Sequence, residues 1–207
     1  MTRIVSIVEG DGEVDALPVL LRRLMTWRPP ASYGEVAPPI RVQKDRFLNK
    51  ETDFRRFLQL AAAKCGDDGW LLILLDADDD CPASKGKEIL DRATEVIPHR
   101  RIAVVLANRE FEAWFLAAAR SLDGLRGFAL DQLPEDFDAE RPRDAKGWLA
   151  EHMRSGRYRE TSDQAGFAAV FDLAQAFAGS RSFRKLCKEW DRNMGYQPEA
   201  AEAAPDT

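Results

Sequence analysis

Residues 76–80 read D-A-D-D-D and follow directly on the apolar run W-L-L-I-L-L at 70–75. Asp76, Asp78, Asp79 and Asp80 thus cluster where a buried strand stops. An upstream segment has the same form: I-V-S-I-V at 4–8 runs into E-G-D-G-E at 9–13. Two buried strands that each end in acids are what a divalent-cation site in an α/β sheet requires. Donors that are all oxygen suit Mg²⁺, Mn²⁺ or Ca²⁺ rather than Zn²⁺. In an extended exit from the strand Asp76 and Asp78 point the same way, so both can face a metal ion, and Asp80 continues that phase. Asp80 serves equally well as a ligand or as a cap for the helix that begins after Pro82. Asp79 points away and reads as a solvent-facing or capping residue. Glu9 is placed either to bind the metal or to act as general acid/base on a leaving oxygen. Glu13, one turn on, is a candidate for a second metal site. Capping and the helix macrodipole also favour acids at helix starts without any chemistry. That explanation covers Glu13 well and the aspartate triplet poorly, because one cap suffices. Glu110 and Glu112 open the helix after the last strand on the same edge, where capping competes with a role in the site.

The elements that must position these acids follow from hydrophobic spacing. Residues 3–8 form a first strand. A helix follows from about Asp15, with Leu17, Leu20, Leu21 and Leu24 on one face and Pro18 tolerated in its first turn. Residues 28–39 hold four prolines and a glycine and read as an extended loop. A short second strand at 40–43, a helix at 53–65, a third strand at 70–75, a helix at 84–97 and a fourth strand at 102–107 complete the alternation. Asn108 is positioned to cap the next helix, whose core stripe is Phe111, Trp114, Phe115 and Ala118. Apolar strands alternating with helices specify an α/β fold with a four-stranded parallel sheet covered on both faces. With strand order 2-1-3-4, the switch point lies between the first and third strands, and Glu9 faces the Asp76 cluster across one inter-strand spacing of about 4.8 Å. Beyond Asp123 the strand signal ends. Helical patterns at 144–153, 163–178 and 183–192 follow a loop-rich stretch at 123–143. The expected organisation is an α/β domain over 1–122, a helical region over 123–196 packed on it, and a disordered tail over 197–207.

The chain has 207 residues and a net charge of −5. That length supports one substantial core, or one core plus a small appendage. No apolar run reaches the roughly 18 residues of a membrane span. Cys65, Cys81 and Cys187 show neither metal spacing nor a disulfide framework. The expectation is a cytoplasmic protein without a membrane partner. The acidic balance argues against a protein that coats nucleic acid by bulk electrostatics. Basic residues are nevertheless dense at Arg141, Arg143, Lys146, Arg154, Arg157 and Arg159, and again at Arg181, Arg184, Lys185 and Lys188. Each alone reads as a solvated helix face; together they could form a phosphate-facing surface. The G-D-G-E at 10–13 lacks P-loop spacing, and the two histidines, His99 and His152, give no basis for a serine–histidine relay.

An apolar strand ending in Val8-Glu9-Gly10, followed later by one ending in Leu75-Asp76-Ala77-Asp78, resembles the Toprim domain of topoisomerases, primases, recombination proteins and OLD-type nucleases. The likeness covers roughly residues 3–115. More closely, the whole chain is similar to a bacterial family of Toprim-like proteins through Glu9-Gly10-Asp11-Gly12-Glu13, the N-R-E-F-E-A-W-F at 108–115, Lys146, Tyr158 and Ser182-Phe183. The resemblance implies a Toprim-like Rossmannoid fold and a Mg²⁺-dependent (or Mn²⁺-dependent) site acting on phosphodiester bonds of DNA or RNA. It also implies an AAA or ABC-type ATPase partner in an antiphage-defence setting. On this reading Glu9, Asp76, Asp78 and Asp80 hold metal, and Glu9, Glu13 and Lys146 carry the chemistry. Tyr33, Tyr158 and Tyr196 have no signature of a tyrosyl–DNA intermediate, so hydrolysis fits better than strand passage. The alternative is a non-catalytic subunit that holds one structural cation and regulates an ATPase.

Overall fold

The computed structural model describes residues 1–197; the tail expected from Gln197 onward otherwise lies outside the described residues. Strand β1 (Thr2–Val8) is built from Ile4, Val5, Ile7 and Val8, all fully buried. Helix α1 (Asp11–Trp27) starts four residues earlier than its leucine spacing suggested, because the extended backbone at Gly10 and the acids Asp11 and Glu13 already make a favourable first turn. Pro18 therefore lies inside the helix rather than in its first turn, and the carbonyl one turn before it loses its donor.

The sheet has five strands rather than four. Strands β2 (Gly34–Val36) and β3 (Ile40–Arg41) both pair in parallel with β1 on the same side, through Ile4↔Val36 and Ile7↔Ile40. The ladder is interrupted where Pro38 and Pro39 have no N–H to donate. Before the break the Ala37 N–H reaches the Ile4 carbonyl, and beyond it the Val42 N–H reaches the Val8 carbonyl, both at 2.9 Å. Three of the twelve residues expected to be loop, Gly34–Val36, are thus sheet edge. Strands β4 (Trp70–Asp76) and β5 (Arg101–Ala107) complete the order β2-β1-β4-β5, all parallel. With β2 and β3 taken as one broken strand, this is the expected order 2-1-3-4.

Alternation along the strands divides the core in two. Leu71, Ile73 and Leu75 face α3 (Glu51–Cys65) and α4 (Pro82–Val96), together with Phe54, Leu58, Ile89 and Ala93. A short helix α2 (Lys44–Asn49) precedes α3 and carries Phe47 and Leu48 into the same layer. Trp70, Leu72 and Leu74 face the other way, onto α1 and the chain beyond β5. That layer includes α5 (Ala113–Ala117), α6 (Ala119–Leu122), α7 (Ala145–Glu151), α8 (Ala165–Ala168), α9 (Leu173–Gly179) and α10 (Arg181–Met194). Phe183, Leu186 and Trp190 of α10 join Trp114 and Phe115 of α5 in one continuous cluster, so the C-terminal helices supply the second cover of the sheet.

Two local expectations fail. The helix expected over 163–178 is broken, because Asp172 takes an extended conformation and caps α9 through the Gln175 N–H at 2.8 Å. Asn108 caps no helix; its Nδ2 reaches Glu140 at 3.3 Å, and α5 begins only at Ala113. Among the described residues, no helix is long and apolar enough to cross a membrane.

Candidate functional site

Parallel pairing brings the C-terminal ends of β1 and β4 to the same edge. Ile7 stands beside Ile73, so Glu9 leaves the sheet level with Leu75, next to Asp76. The backbone of Asp76 lies near the Glu9 side chain and favours its charged form. Burial raises the Glu9 pKa against the pull of Lys44, and the charges of Asp78 and Glu13 raise it further. Glu13 is only 6% exposed; its Oε1 accepts from Gln164 Nε2 at 3.2 Å. Asp76 Oδ1 accepts from the Phe111 N–H at 2.8 Å, and burial, then Glu13 and Glu112, push its carboxyl well above the usual range.

Glu112 is fully buried behind these groups. Its Oε1 accepts from Tyr158 Oη and from Gln164 Nε2, both at 3.0 Å. Burial pushes its pKa up to about 7 against the pull of Lys146. Lys146, near the start of α7, pairs with Glu160 at 3.0 Å. Burial alone would lower its pKa, but Glu112, Glu160 and Asp76 outweigh that and keep the ammonium protonated. Burial, then Glu112, raises the Tyr158 phenol, which therefore stays neutral and donates.

Gln164 and Glu160 come from a π-helical turn, Glu160–Gln164, which leads into α8. Such turns recur at functional sites because they re-aim side chains that a regular helix would carry past. Here the turn delivers one amide that bridges Glu13 and Glu112 and one carboxylate that meets Lys146. The glycines of the 9–13 motif make room for this. A side chain at position 10 would collide with the Glu13 carboxylate, and one at position 12 with Gln164.

The site is an open cleft of about 450 Å³ lined by Glu9, Glu13, Asp76, Lys146 and Glu160 on one side and by residues 41–46 on the other. A larger concavity of about 750 Å³ lies along β5 between α4 and α10, but its floor is Val104, Leu106 and Leu90 and its charges are already paired. The smaller cleft holds the converging acids.

Among the described residues, no three acidic, histidine or cysteine side chains stand close enough to grip a single ion as they are oriented. The chemistry of the cluster nonetheless fits a divalent cation. Glu9 Oε2, Glu13 Oε2 and Glu112 Oε2 are buried without a hydrogen-bond partner. Such groups are costly unless something answers them. Glu9, Asp76 and Glu112 have raised pKa values, chiefly because burial penalises their charged forms, and neighbouring carboxylates add to the rise against the pull of Lys44 and Lys146. Glu9, Glu13 and Asp76 are the residues that would hold the ion.

The other expected acids are placed differently. Asp78 takes a left-handed conformation, φ 49°, and hydrogen-bonds through its N–H to the carbonyl of Arg109, itself at φ 68°. That turn ends the extended phase, so Asp78 does not follow Asp76 into the cleft. Its carboxylate lies at the rim, 69% exposed and paired with Lys44. Lys44 Nζ also donates to the Asp76 carbonyl at 2.6 Å. Asp80 is exposed and outside the cleft, which removes it from the metal set. Asp79 is paired with Arg109 and Arg143. Glu110 caps a different helix from the one it precedes: its Oε2 accepts from the N–H groups of Ala145 and Lys146 at 2.9 and 3.1 Å, which fixes the start of α7 and with it Lys146. Glu112, two residues on, is the acid that enters the cluster.

Gln164 lies in a helical pattern, where a polar residue reads as solvated surface, and Glu160 and Lys44 lie in no element the sequence suggests, so none of the three carried a signal. Four of the ten basic residues expected to form a phosphate-facing surface are engaged in ion pairs: Arg143 with Asp79, Lys146 with Glu160, Arg181 with Glu140 and Lys185 with Glu189.

No curated protein and no solved structure gives a match. Residues 8–190 match a domain of unknown function, DUF4276, and because that stretch runs from the end of β1 almost to the end of α10, the chain belongs to this family.

Proposed function

We propose that the protein is a Toprim-like, Mg²⁺- or Mn²⁺-dependent phosphodiesterase that hydrolyses DNA or RNA at the cleft between β1 and β4. One observation carries the reading: Glu9, Glu13, Asp76 and Glu112 are gathered around Lys146 at the C-terminal edge of a parallel sheet, with three buried carboxylate oxygens left without partners. Open parallel sheets bind ligands at that edge. A divalent ion held there would supply Lewis-acid stabilisation and lower the pKa of a bound water. Lys146, kept protonated, offsets charge on the phosphoryl oxygens. Glu9 sits at the mouth with a raised pKa and is suited to exchange a proton with a leaving oxygen. Glu112, Tyr158 and Gln164 hold Glu13 from behind and orient it.

The test is cleavage of labelled single- and double-stranded DNA and RNA in Mg²⁺, Mn²⁺ and EDTA. Glu9→Ala and Asp76→Ala should abolish cutting while far-UV circular dichroism is unchanged; wild-type rates in both would overturn the proposal. The proposed ATPase partnership rests on the family resemblance, so each assay is run with and without an AAA or ABC-type partner. Calorimetric binding of one Mn²⁺ with no turnover under either condition would instead make the protein a regulatory metal-binding subunit.

A further inference from the structure

Beside the acid cleft lies a second concavity of about 320 Å³, lined by Arg41, Arg46 and Arg56 over Phe47 and Phe57. Arg41, Val42, Gln43 and Arg46 line both, so the two are adjacent. Among the described residues, no carboxylate lines the second one. Arg41 is paired with Asp11 at its outer side, and Arg46 with Asp53 beneath. Arg56 has no carboxylate partner among the described residues; its guanidinium lies 4.6 Å from the centre of the Phe57 ring. Asp53 is a single buried carboxylate close to three cations, Arg46, Lys50 and Arg56. The basin is therefore positive where the neighbouring cleft is negative.

A polyanion is repelled by a cleft of acids unless a cationic surface beside it holds the chain. Guanidinium groups are the side chains best matched to phosphate oxygens, because their planar forks donate in pairs. An arginine stacked on a half-buried phenyl ring offers a flat face to an unstacked base, and a base inside a duplex cannot use such a face. The volume is that of a site for one small ligand, such as a nucleotide.

We propose that Arg41, Arg46 and Arg56, with Phe57, bind the phosphodiester backbone and one base of a single nucleic-acid strand immediately beside the acid cleft. The assignment deepens the phosphodiesterase reading and rests on it for the strand's passage into the acid cleft. Binding itself can be measured without any cutting.

The experiment is fluorescence anisotropy of a labelled single-stranded 12-mer, DNA and RNA, in EDTA at several salt concentrations. Arg56→Ala, Arg46→Ala and the double variant should weaken binding progressively, by about tenfold for the pair, and lower the salt slope by about 0.7 for each phosphate no longer neutralised. Phe57→Leu, which keeps the apolar packing, should weaken binding with an unchanged slope. Because Arg46→Ala removes the partner of buried Asp53, Arg56→Glu serves as the variant that leaves that pair intact, and thermal melts verify folding. Wild-type affinity and slope in Arg56→Glu and Arg46→Ala would overturn the proposal, as would equal affinity for duplex. Binding of inorganic phosphate or a mononucleotide without binding of the 12-mer would overturn it too, in favour of a small phosphorylated ligand. Arginine-dependent binding without any metal-dependent cutting would sink the phosphodiesterase reading and leave this site standing.

Discussion

Replacing Glu112 by glutamine should remove a pH dependence from the stability of the metal-free protein. Glu112 is fully buried, and burial raises its pKa from an ordinary 4.5 to about 7. The folded protein thus holds this proton to higher pH than the unfolded chain does. The stabilisation from holding it is complete below pH 4.5 and is lost as pH rises through 7. At about 1.4 kcal/mol per pH unit, the interval corresponds to about 3 kcal/mol. Asp76 and Glu9 are raised as well and add slope of the same sign. The difference between wild type and Glu112→Gln reports Glu112 together with the part of the Asp76 shift that its charge causes. Glutamine keeps an oxygen that can accept from Tyr158 and Gln164. The assay is urea denaturation of EDTA-treated protein at intervals from pH 4.5 to 8.5. The wild type should lose about 3 kcal/mol more than the variant across that range, and Mn²⁺ should recover much of the loss at pH 8. A wild-type-to-variant difference independent of pH would refute the account of Glu112 as an acid kept neutral by burial.

Other outcomes follow from the same geometry. Glu140→Ala should destabilise the protein by about 3 kcal/mol in thermal melts, because it strips a buried carboxylate from Ser180, the Ser182 N–H, Arg181 and Asn108. Burial would raise the Glu140 pKa, but those hydrogen bonds outweigh it and hold the group low. Its contribution should therefore be present above about pH 4.5 and fade as pH falls below that. Asp80→Asn should change stability by less than about 0.5 kcal/mol and leave cleavage at wild-type rate, in contrast to Asp76→Ala. Gly12→Ala should displace Gln164 and lower cleavage in Mn²⁺ while leaving the fold intact by circular dichroism; full activity would show that the amide bridge is dispensable.

The strands and the order of the sheet were legible because continuous β-branched and leucine runs admit one reading at this length. The convergence of Glu9 with Asp76 followed from topology alone. What misled was phase: Asp78 and Asp80 read as the continuation of an extended strand, yet the left-handed turn at Asp78 ends that periodicity within two residues. The split edge strand was hidden because a proline-rich stretch reads as loop, although Gly34–Val36 needs only three residues to pair with β1. Gln164 was invisible for a different reason. Its role depends on a π turn and on a partner 151 residues away, and neither leaves a local pattern.

The break at Pro38 and Pro39 has a consequence for how molecules of this protein can meet. A margin of a sheet offers its unused amide groups to any extended chain that drifts alongside, and that offer is the usual beginning of runaway stacking. Here the outermost row contains two successive residues with nothing to donate, midway between stretches only three and two residues long. A foreign strand laid along it would find no uninterrupted template. Backbone pairing of copies along this margin is therefore disfavoured.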